Sequence, residues 1–213
     1  MLKINILIDN PKSWYMPYGK QLANKLRRLG NKVVLVKEEK KIQKGDIAFF
    51  LSCEKIISRS IRSRNVHNLV IHASDLPKGR GWSPMAWQIL QGRNLITASL
   101  FEAADKVDSG LIYFQERIAL KGNELIAEWR EKEAQAIERL ALAFVKAYPS
   151  VLGRPQKGKT TLFRRRIPAD SKMDPKKTIA EQFDLLRIVD NERYPAFFKF
   201  RGYTYLLKIE KQK

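Results

Sequence analysis

Short apolar runs alternate with helical stretches over the first two thirds of this chain, and that order restricts the fold more than any other feature. Residues 2–9 alternate and end in Asp9-Asn10-Pro11, a strand followed by a loop. Pro17 to Gly30 carries Leu22, Leu26 and Leu29 at helical spacing and stops on Gly30. Lys32–Val36 reads as a second strand, and Gly45–Ser52 holds Ile47-Ala-Phe-Phe-Leu51, a run suited to a strand covered on both faces. A short basic helix or turn, Lys55–Arg64, leads to the apolar segment Leu69–His72. Strand-helix-strand order of this kind predicts an α/β fold with a mainly parallel sheet and right-handed crossovers.

Further along, Ser83–Gly92 reads as a helix with Pro84 in its first turn. Leu95–Phe101 and Gly110–Leu120 are expected strands. Glu124–Tyr148 is an expected long helix, striped by Leu125, Trp129, Ile137, Leu140 and Phe144. Pro149–Lys159 is rich in Pro, Gly and charge, which predicts a boundary between a main domain over 1–150 and an extension over 151–213. The extension is expected to hold a linker, a capped helix near Lys177–Val189 and a hairpin turning at Gly202.

The 213 residues carry 41 Lys and Arg against 22 Asp and Glu, a formal charge of +19. Such an excess favours polyanionic partners, whether nucleic acid, acidic membrane or small anions. The basic residues are dispersed, apart from Lys37–Lys41 and Arg164–Arg166, so a solvated basic surface is the plainer reading. No apolar run reaches the roughly 18 residues of a membrane helix, and the amino terminus lacks the pattern of a secretory signal. A cytoplasmic protein without membrane partners is expected. A lone Cys53 and two histidines provide neither a disulfide framework nor a metal-ligand spacing, so no metal is expected.

The chemistry concentrates in His72-Ala-Ser74-Asp75-Leu-Pro77-Lys78-Gly-Arg80-Gly-Trp82-Ser-Pro, followed by Asp108-Ser-Gly110. His72 closes a strand and faces a Pro/Gly-rich loop, where open α/β sheets bind their ligands. The Asp-Ser-Gly turn can bring a carboxylate beside the imidazole, setting its tautomer and stabilising an imidazolium. Taken singly, each residue has a plainer role: a structural histidine, a turn-forming Asp108, a local turn of Ser74 and Asp75 before Pro77.

Together these residues resemble the folate-dependent formyltransferase family, marked by Asn-x-His-x-Ser-x-Leu-Pro, a Gly-containing loop and a later Asp-x-Gly. His72, Ser74, Leu76, Pro77, Arg80, Gly81, Asp108 and Gly110 match, whereas Val70 stands in place of the Asn. The extended motif, the Pro-x-Asp-Ser segment and the Tyr194-Pro-Ala-Phe197 loop are similar to the branch acting on nucleotide-linked amino sugars, closest to pseudaminic-acid-type pathways. The resemblance implies a Rossmann-like domain and a formyl group carried from N10-formyltetrahydrofolate to an amine. The acceptor would be a UDP-linked amino-dideoxy sugar used in surface-glycan synthesis. His72 becomes the base and Asp108 its orienting carboxylate. Because Val70 cannot donate a hydrogen bond, stabilisation of the oxyanion falls to protonated His72, backbone N–H groups or water.

The same resemblance implies a pterin pocket between Leu51-Ser52-Cys53 and Ala103-Ala104-Asp105-Lys-Val107, with Cys53 a wall residue, and a cis Leu76–Pro77 bond. Expected substrate contacts are Asn10, Lys12 and Trp14 after the first strand, Lys78, Arg80 and Trp82 in the main loop, and Tyr194 and Phe197 in the tail. Two other functions stay open. Formylation of methionyl-tRNA is favoured by the charge and opposed by the lack of that branch's additional barrel. A non-catalytic nucleotide-sugar or RNA-binding module is suggested by Val70. Nucleic acid is not the expected partner. The tail hairpin is either a homodimer contact or a packed appendage. The sugar, its amine position and its nucleotide are not legible in the motif.

Overall fold

The structure is a computed structural model that describes residues 1–212. Its strands are β1 (Lys3–Leu7), β2 (Lys32–Val36), β3 (Gly45–Phe50), β4 (Asn65–His72), a two-residue β5 (Arg80–Gly81), β6 (Leu95–Glu102) and β7 (Ile112–Ala119). All but β5, which lies in the loop after β4, form one six-stranded sheet in the order β2-β1-β3-β4-β6-β7. The first four run parallel, and β6 and β7 complete the sheet in antiparallel fashion. Helices α1 (Met16–Arg28), α2 (Arg59–Arg62), α3 (Pro84–Leu90) and α4 (Ile126–Ala147) connect and cover it.

Strand parity sorts the core into two layers. Successive side chains on a strand point to opposite faces. Ile4, Ile6 and Ile8, with Ile47, Phe49 and Leu51, join the cluster packed on α1, α3 and α4. Leu7, Ala48 and Phe50 point the other way, onto Ile42, Ile57 and Ile61 of the α2 side. On β4 the same rule puts Leu69 and Ile71 toward the larger cluster and Val70 on the α2 side. His72 shares Val70's parity, so the strand delivers both to one face.

The chain after residue 150 returns to this sheet. A short strand β8 (Leu162–Phe163) pairs in parallel with β5. Arg154 bridges Ile112. A final unit holds α5 (Phe183–Ile188) and an antiparallel hairpin of β9 (Ala196–Phe200) and β10 (Tyr203–Leu207), turning at Arg201-Gly202. The helix expected over 177–189 is shorter than its sequence pattern. Thr178 Oγ1 accepts the Glu181 N–H, and the Glu181 carboxylate accepts the Thr178 N–H, a reciprocal cap that delays the start. A 3-10 turn at Ala180–Gln182 then precedes α5. No helix among the described residues is long and apolar enough to cross a membrane.

A buried charge cluster holds α5 against the amino-terminal end of α4. Arg187 is fully buried, donates from Nη1 to Asp184 at 2.8 Å and sets Nη2 3.6 Å from Glu124. Its carbonyl accepts the Trp129 indole N–H at 2.9 Å. Glu124 also takes the N–H groups of Lys121 and Gly122 and an ion pair from Lys132 at 2.9 Å. Burial alone raises the Glu124 carboxyl pKa, but these bonds outweigh it and hold the group down at about 2.

Stability should respond to this cluster in two ways. Arg187→Ala empties a fully buried site and removes its bond to Asp184, and is expected to cost about 2–4 kcal/mol, read as a lower urea midpoint. The depressed Glu124 pKa stabilises the fold fully above its ordinary value of 4.5 and loses that contribution as pH falls toward about 2. Urea midpoints measured across that window should drop in the wild type and drop less in Glu124→Gln.

Candidate active site

The carboxyl ends of β1, β3 and β4 open toward one side of the sheet, and two adjoining cavities lie there. One, of about 250 Å³, is walled by Phe50, Ile57, Val70, Phe101 and Val107 and by Ala103 and Ala104. The other, of about 320 Å³, is lined by Trp14, Trp129, Arg130, Glu133, Arg165, Arg166, Arg193 and Tyr194, among others. They share Ser52, Cys53, Glu54, Ile71, His72, Gly81 and Trp82. The histidine therefore stands at the junction of an apolar cavity and a basic, aromatic one.

His72 is nearly buried, and its Nε2 lies 2.8 Å from the Gly79 carbonyl. A carbonyl oxygen only accepts, so this contact puts the ring proton on Nε2 and leaves the lone pair on Nδ1. The tautomer is thus set by the backbone of the motif loop. Asp108 Oδ2 lies 3.7 Å from Nε2 and instead accepts the Gly81 N–H at 2.8 Å. Its carboxylate is close enough to stabilise an imidazolium by charge without making the orienting hydrogen bond.

Asp108 reaches this position because β6 runs antiparallel to β4. Glu102, the last residue of β6, pairs with Leu69 in mid-strand, so the following loop starts below the histidine and folds back up over the sheet face. Arg62 pins that loop, donating to the Ala103 carbonyl at 3.1 Å and to the Asp105 carboxylate. Asp108 has φ 49, Ser52 φ 53 and Ser83 φ 50, three left-handed non-glycine residues around one site. Such backbone states persist where surrounding contacts over-determine them. The Leu76–Pro77 bond is cis.

Gly81 decides how the tail joins the site. Its φ is +100, and a Cβ there would stand 2.4 Å from the Phe163 carbonyl oxygen. Without that atom, β8 closes on β5, the Arg80 N–H bonds Thr161 and the Trp82 N–H bonds Phe163. Arg165 and Arg166 then enter the basic cavity, whereas Arg164 turns outward to Asp170 at 2.8 Å. Arg165 lies 4.8 Å above the Trp82 ring and pairs with Glu54 at 3.1 Å.

Of the residues singled out in the sequence, Ser52, Cys53, Ala103, Ala104 and Val107 line the first cavity, and Trp14, Trp82 and Tyr194 the second. Leu51 lies one residue inside, sealed in the core, because parity turns it to the opposite face. Asp105 points outward to Arg62. Asn10 braces Glu54 at 2.7 Å, and Lys12 offers its carbonyl to Arg193. Exposed Lys78 lines neither cavity; Arg80 turns to Gln156 at 2.6 Å; Phe197 pairs within the hairpin. Burial pushes the Cys53 thiol pKa up, as befits a wall residue.

Arg130 and Glu133 are absent from the expected site residues, yet they interrupt the apolar face of α4 between Trp129 and Ile137 and line the second cavity. Charged residues at helical spacing inside a buried stripe are a legible signal of a lined cavity. Arg130 pairs with Asp190 at 3.2 Å, and its Nε and that of Arg166 are buried without a partner. Burial lowers both guanidinium pKa values and raises the Glu133 carboxyl to about 7 against the pull of Arg130.

Residues 21–150, more than half of the chain, match the formyl transferase family. Among solved structures, a methionyl-tRNA formyltransferase from Clostridium thermocellum is 23% identical with a TM-score of 0.82, covering 100% of this chain and 94% of that one. A sugar N-formyltransferase from a Shewanella species is 16% identical with a TM-score of 0.71, covering 100% and 99%. The formyltransferase PseJ from Anoxybacillus kamchatkensis, solved with UDP-4,6-dideoxy-4-formamido-L-AltNAc and tetrahydrofolate, is 21% identical with a TM-score of 0.62, covering 76% and 85%. At these identities the structures share the fold. The motif at His72, the sheet that presents it and the family match agree: the chain belongs to the formyl transferase family.

Proposed function

We propose that this protein moves a formyl group from N10-formyltetrahydrofolate to the amine of a nucleotide-linked amino sugar, with a UDP-linked amino-dideoxy hexose as the first acceptor to test. The observation that carries this reading is the meeting of two unlike cavities at His72. The apolar cavity suits a fused bicyclic head group, with the backbone of Ala103 and Ala104 along one wall. The second offers Arg130, Arg165, Arg166 and Arg193 for a diphosphate, two of them with unpartnered buried N–H groups. Trp14, Trp82 and Tyr194 supply stacking faces, and Glu133 offers a carboxyl group to hydroxyls of the acceptor.

The bound folate supplies an activated formyl group. His72 takes the proton lost by the attacking amine and returns it to the departing nitrogen, using Nδ1, while Nε2–H stays on Gly79. Asp108 offsets the charge of the imidazolium from 3.7 Å. Holding both reactants in line is the remaining contribution of the two cavities. PseJ, crystallised with a UDP-linked formamido sugar and tetrahydrofolate, supports the choice of acceptor and donor. Formylation of methionyl-tRNA is the second reading. It is favoured by the +19 charge and by the Clostridium thermocellum structure, of which this chain covers 94%. The extent of the chain therefore does not separate the two acceptors, and a basic cavity of about 320 Å³ favours the nucleotide sugar.

The test is turnover with N10-formyltetrahydrofolate and UDP-amino sugars, dTDP-amino sugars or methionyl-tRNA offered separately. Formylation of a sugar nucleotide is expected, and His72→Ala should lower its kcat by about 10²–10⁴-fold. No turnover on any sugar nucleotide alongside turnover on methionyl-tRNA would falsify the sugar reading. Arg166→Ala and Arg130→Ala should raise KM for the sugar nucleotide by about tenfold or more, since each removes a charged contact, while KM for the folate holds.

A further inference from the structure

Resting on the formyl-transfer reading, we infer that the Ser52 hydroxyl is the side-chain donor that stabilises the oxyanion of the transfer. The donor occupies one cavity and the amine the other, so the reacting carbon lies at their junction. There the amine lone pair forms the new C–N bond and the carbonyl π pair moves onto oxygen. The nitrogen's proton passes to His72. The oxygen then re-forms its double bond as the bond to the folate nitrogen breaks, and that nitrogen takes the proton back from His72. The products are a formamide and tetrahydrofolate, with no net change of charge. During this sequence the oxygen needs a hydrogen-bond donor at about 3 Å.

Few groups at the junction have a proton to give. Val70, beside His72 on the same face of β4, is apolar. The Gly81 N–H is committed to Asp108 and the Trp82 N–H to Phe163. Glu54 only accepts, and it is held by Asn10 and Arg165. The Cys53 thiol, a weak donor, points to the Leu7 carbonyl at 3.4 Å. Among the residues that line both cavities, Ser52 and the indole N–H of Trp82 are the side-chain donors left, besides His72.

Ser52 is paired with a second hydroxyl. Ser13 Oγ lies 2.8 Å from Ser52 Oγ and already accepts the Tyr15 N–H at 3.3 Å. Either hydroxyl can donate in this pair, and when Ser13 donates to Ser52 Oγ the Ser52 proton is free for the open junction. Each bond in such a chain polarises the next, which strengthens the terminal donor. Ser52 also holds a left-handed backbone with φ 53, a state kept by contacts around it rather than by its own preference.

The experiment pairs kinetics with a spectroscopic readout on the folded protein. Ser52→Ala should lower kcat by about a hundredfold, with both KM values held within about threefold. Ser52→Asn, which keeps a hydrogen-bond donor and tolerates the left-handed backbone, should retain more of the rate than Ser52→Ala. Ser13→Ala, which removes the hydroxyl partner of Ser52, should lower kcat by a smaller factor. Bound N10-formyl-5,8-dideazafolate with a 13C-labelled formyl group reports on the donor without turnover. Its carbonyl stretch should lie lower in the wild type than in Ser52→Ala, at unchanged affinity for the probe. Wild-type turnover with an unaltered Ser52→Ala kcat overturns the assignment, as does a carbonyl shift lost in Trp82→Phe instead. A wild type that formylates no amine overturns the reaction itself, and the role of Ser52 with it.

Discussion

The backbone of Gly81 is the point on which the site depends. Its N–H fixes the Asp108 carboxylate, and its missing side chain admits the Phe163 carbonyl. The flanking Arg80 and Trp82 amides complete the short parallel pair with β8. Three segments distant in sequence, the motif loop, the loop after β6 and the tail, therefore meet on one residue. His72 is oriented two residues upstream of it, by the carbonyl of Gly79. A larger residue at position 81 would push Phe163 away, taking Arg165 and Arg166 out of the second cavity.

Charge is as selectively placed. A net +19 looks like a statement about the whole surface, and most of it is solvated. The informative part is a small set of guanidinium groups turned inward against Trp14, Trp82 and Trp129. Aromatic faces and a few carboxylates, Asp190 and Glu54, hold these cations in place without neutralising all of their N–H groups. A partly satisfied cluster of this kind is receptive to an anion, whereas fully buried Arg187, paired with Asp184 and beside Glu124, lines neither cavity and serves the fold.

The antiparallel β6 distinguishes this sheet from a fully parallel one and has a consequence for chemistry. In a parallel arrangement the loop after the next strand would leave from the same end as His72. Here it leaves from the middle of β4 and must fold back across the face, roofing the apolar cavity on its way to Asp108. The carboxylate thus arrives from above the strand, held at 3.7 Å by Gly81 rather than by the imidazole. Val70, where the sequence resemblance leads one to expect an Asn, lines that cavity with Phe101 and packs with Leu76 and Ile112.

Local order is legible in the sequence because it rests on short-range periodicity. Alternating β-strand residues and the spacing of Leu22 and Leu26 locate the main elements, and the motif singles out His72 and Asp108. What no spacing reveals is which residues distant in the chain come to share a cavity. Arg130 and Glu133 on α4, Arg165 and Arg166 beyond β8, and the Ser13–Ser52 pair join the site only through sheet order and the close approach at Gly81. The same tertiary geometry turns Leu51, Asp105, Lys78 and Phe197 away from the cavities, since strand parity and ion pairing act on faces that a linear motif does not record. Residue order alone thus locates the strands of the main sheet and its longer helices and singles out His72 as a candidate. An antiparallel return and a glycine-gated tail decide what surrounds that histidine, because burial and hydrogen bonding between distant segments depend on where the folded backbone brings them.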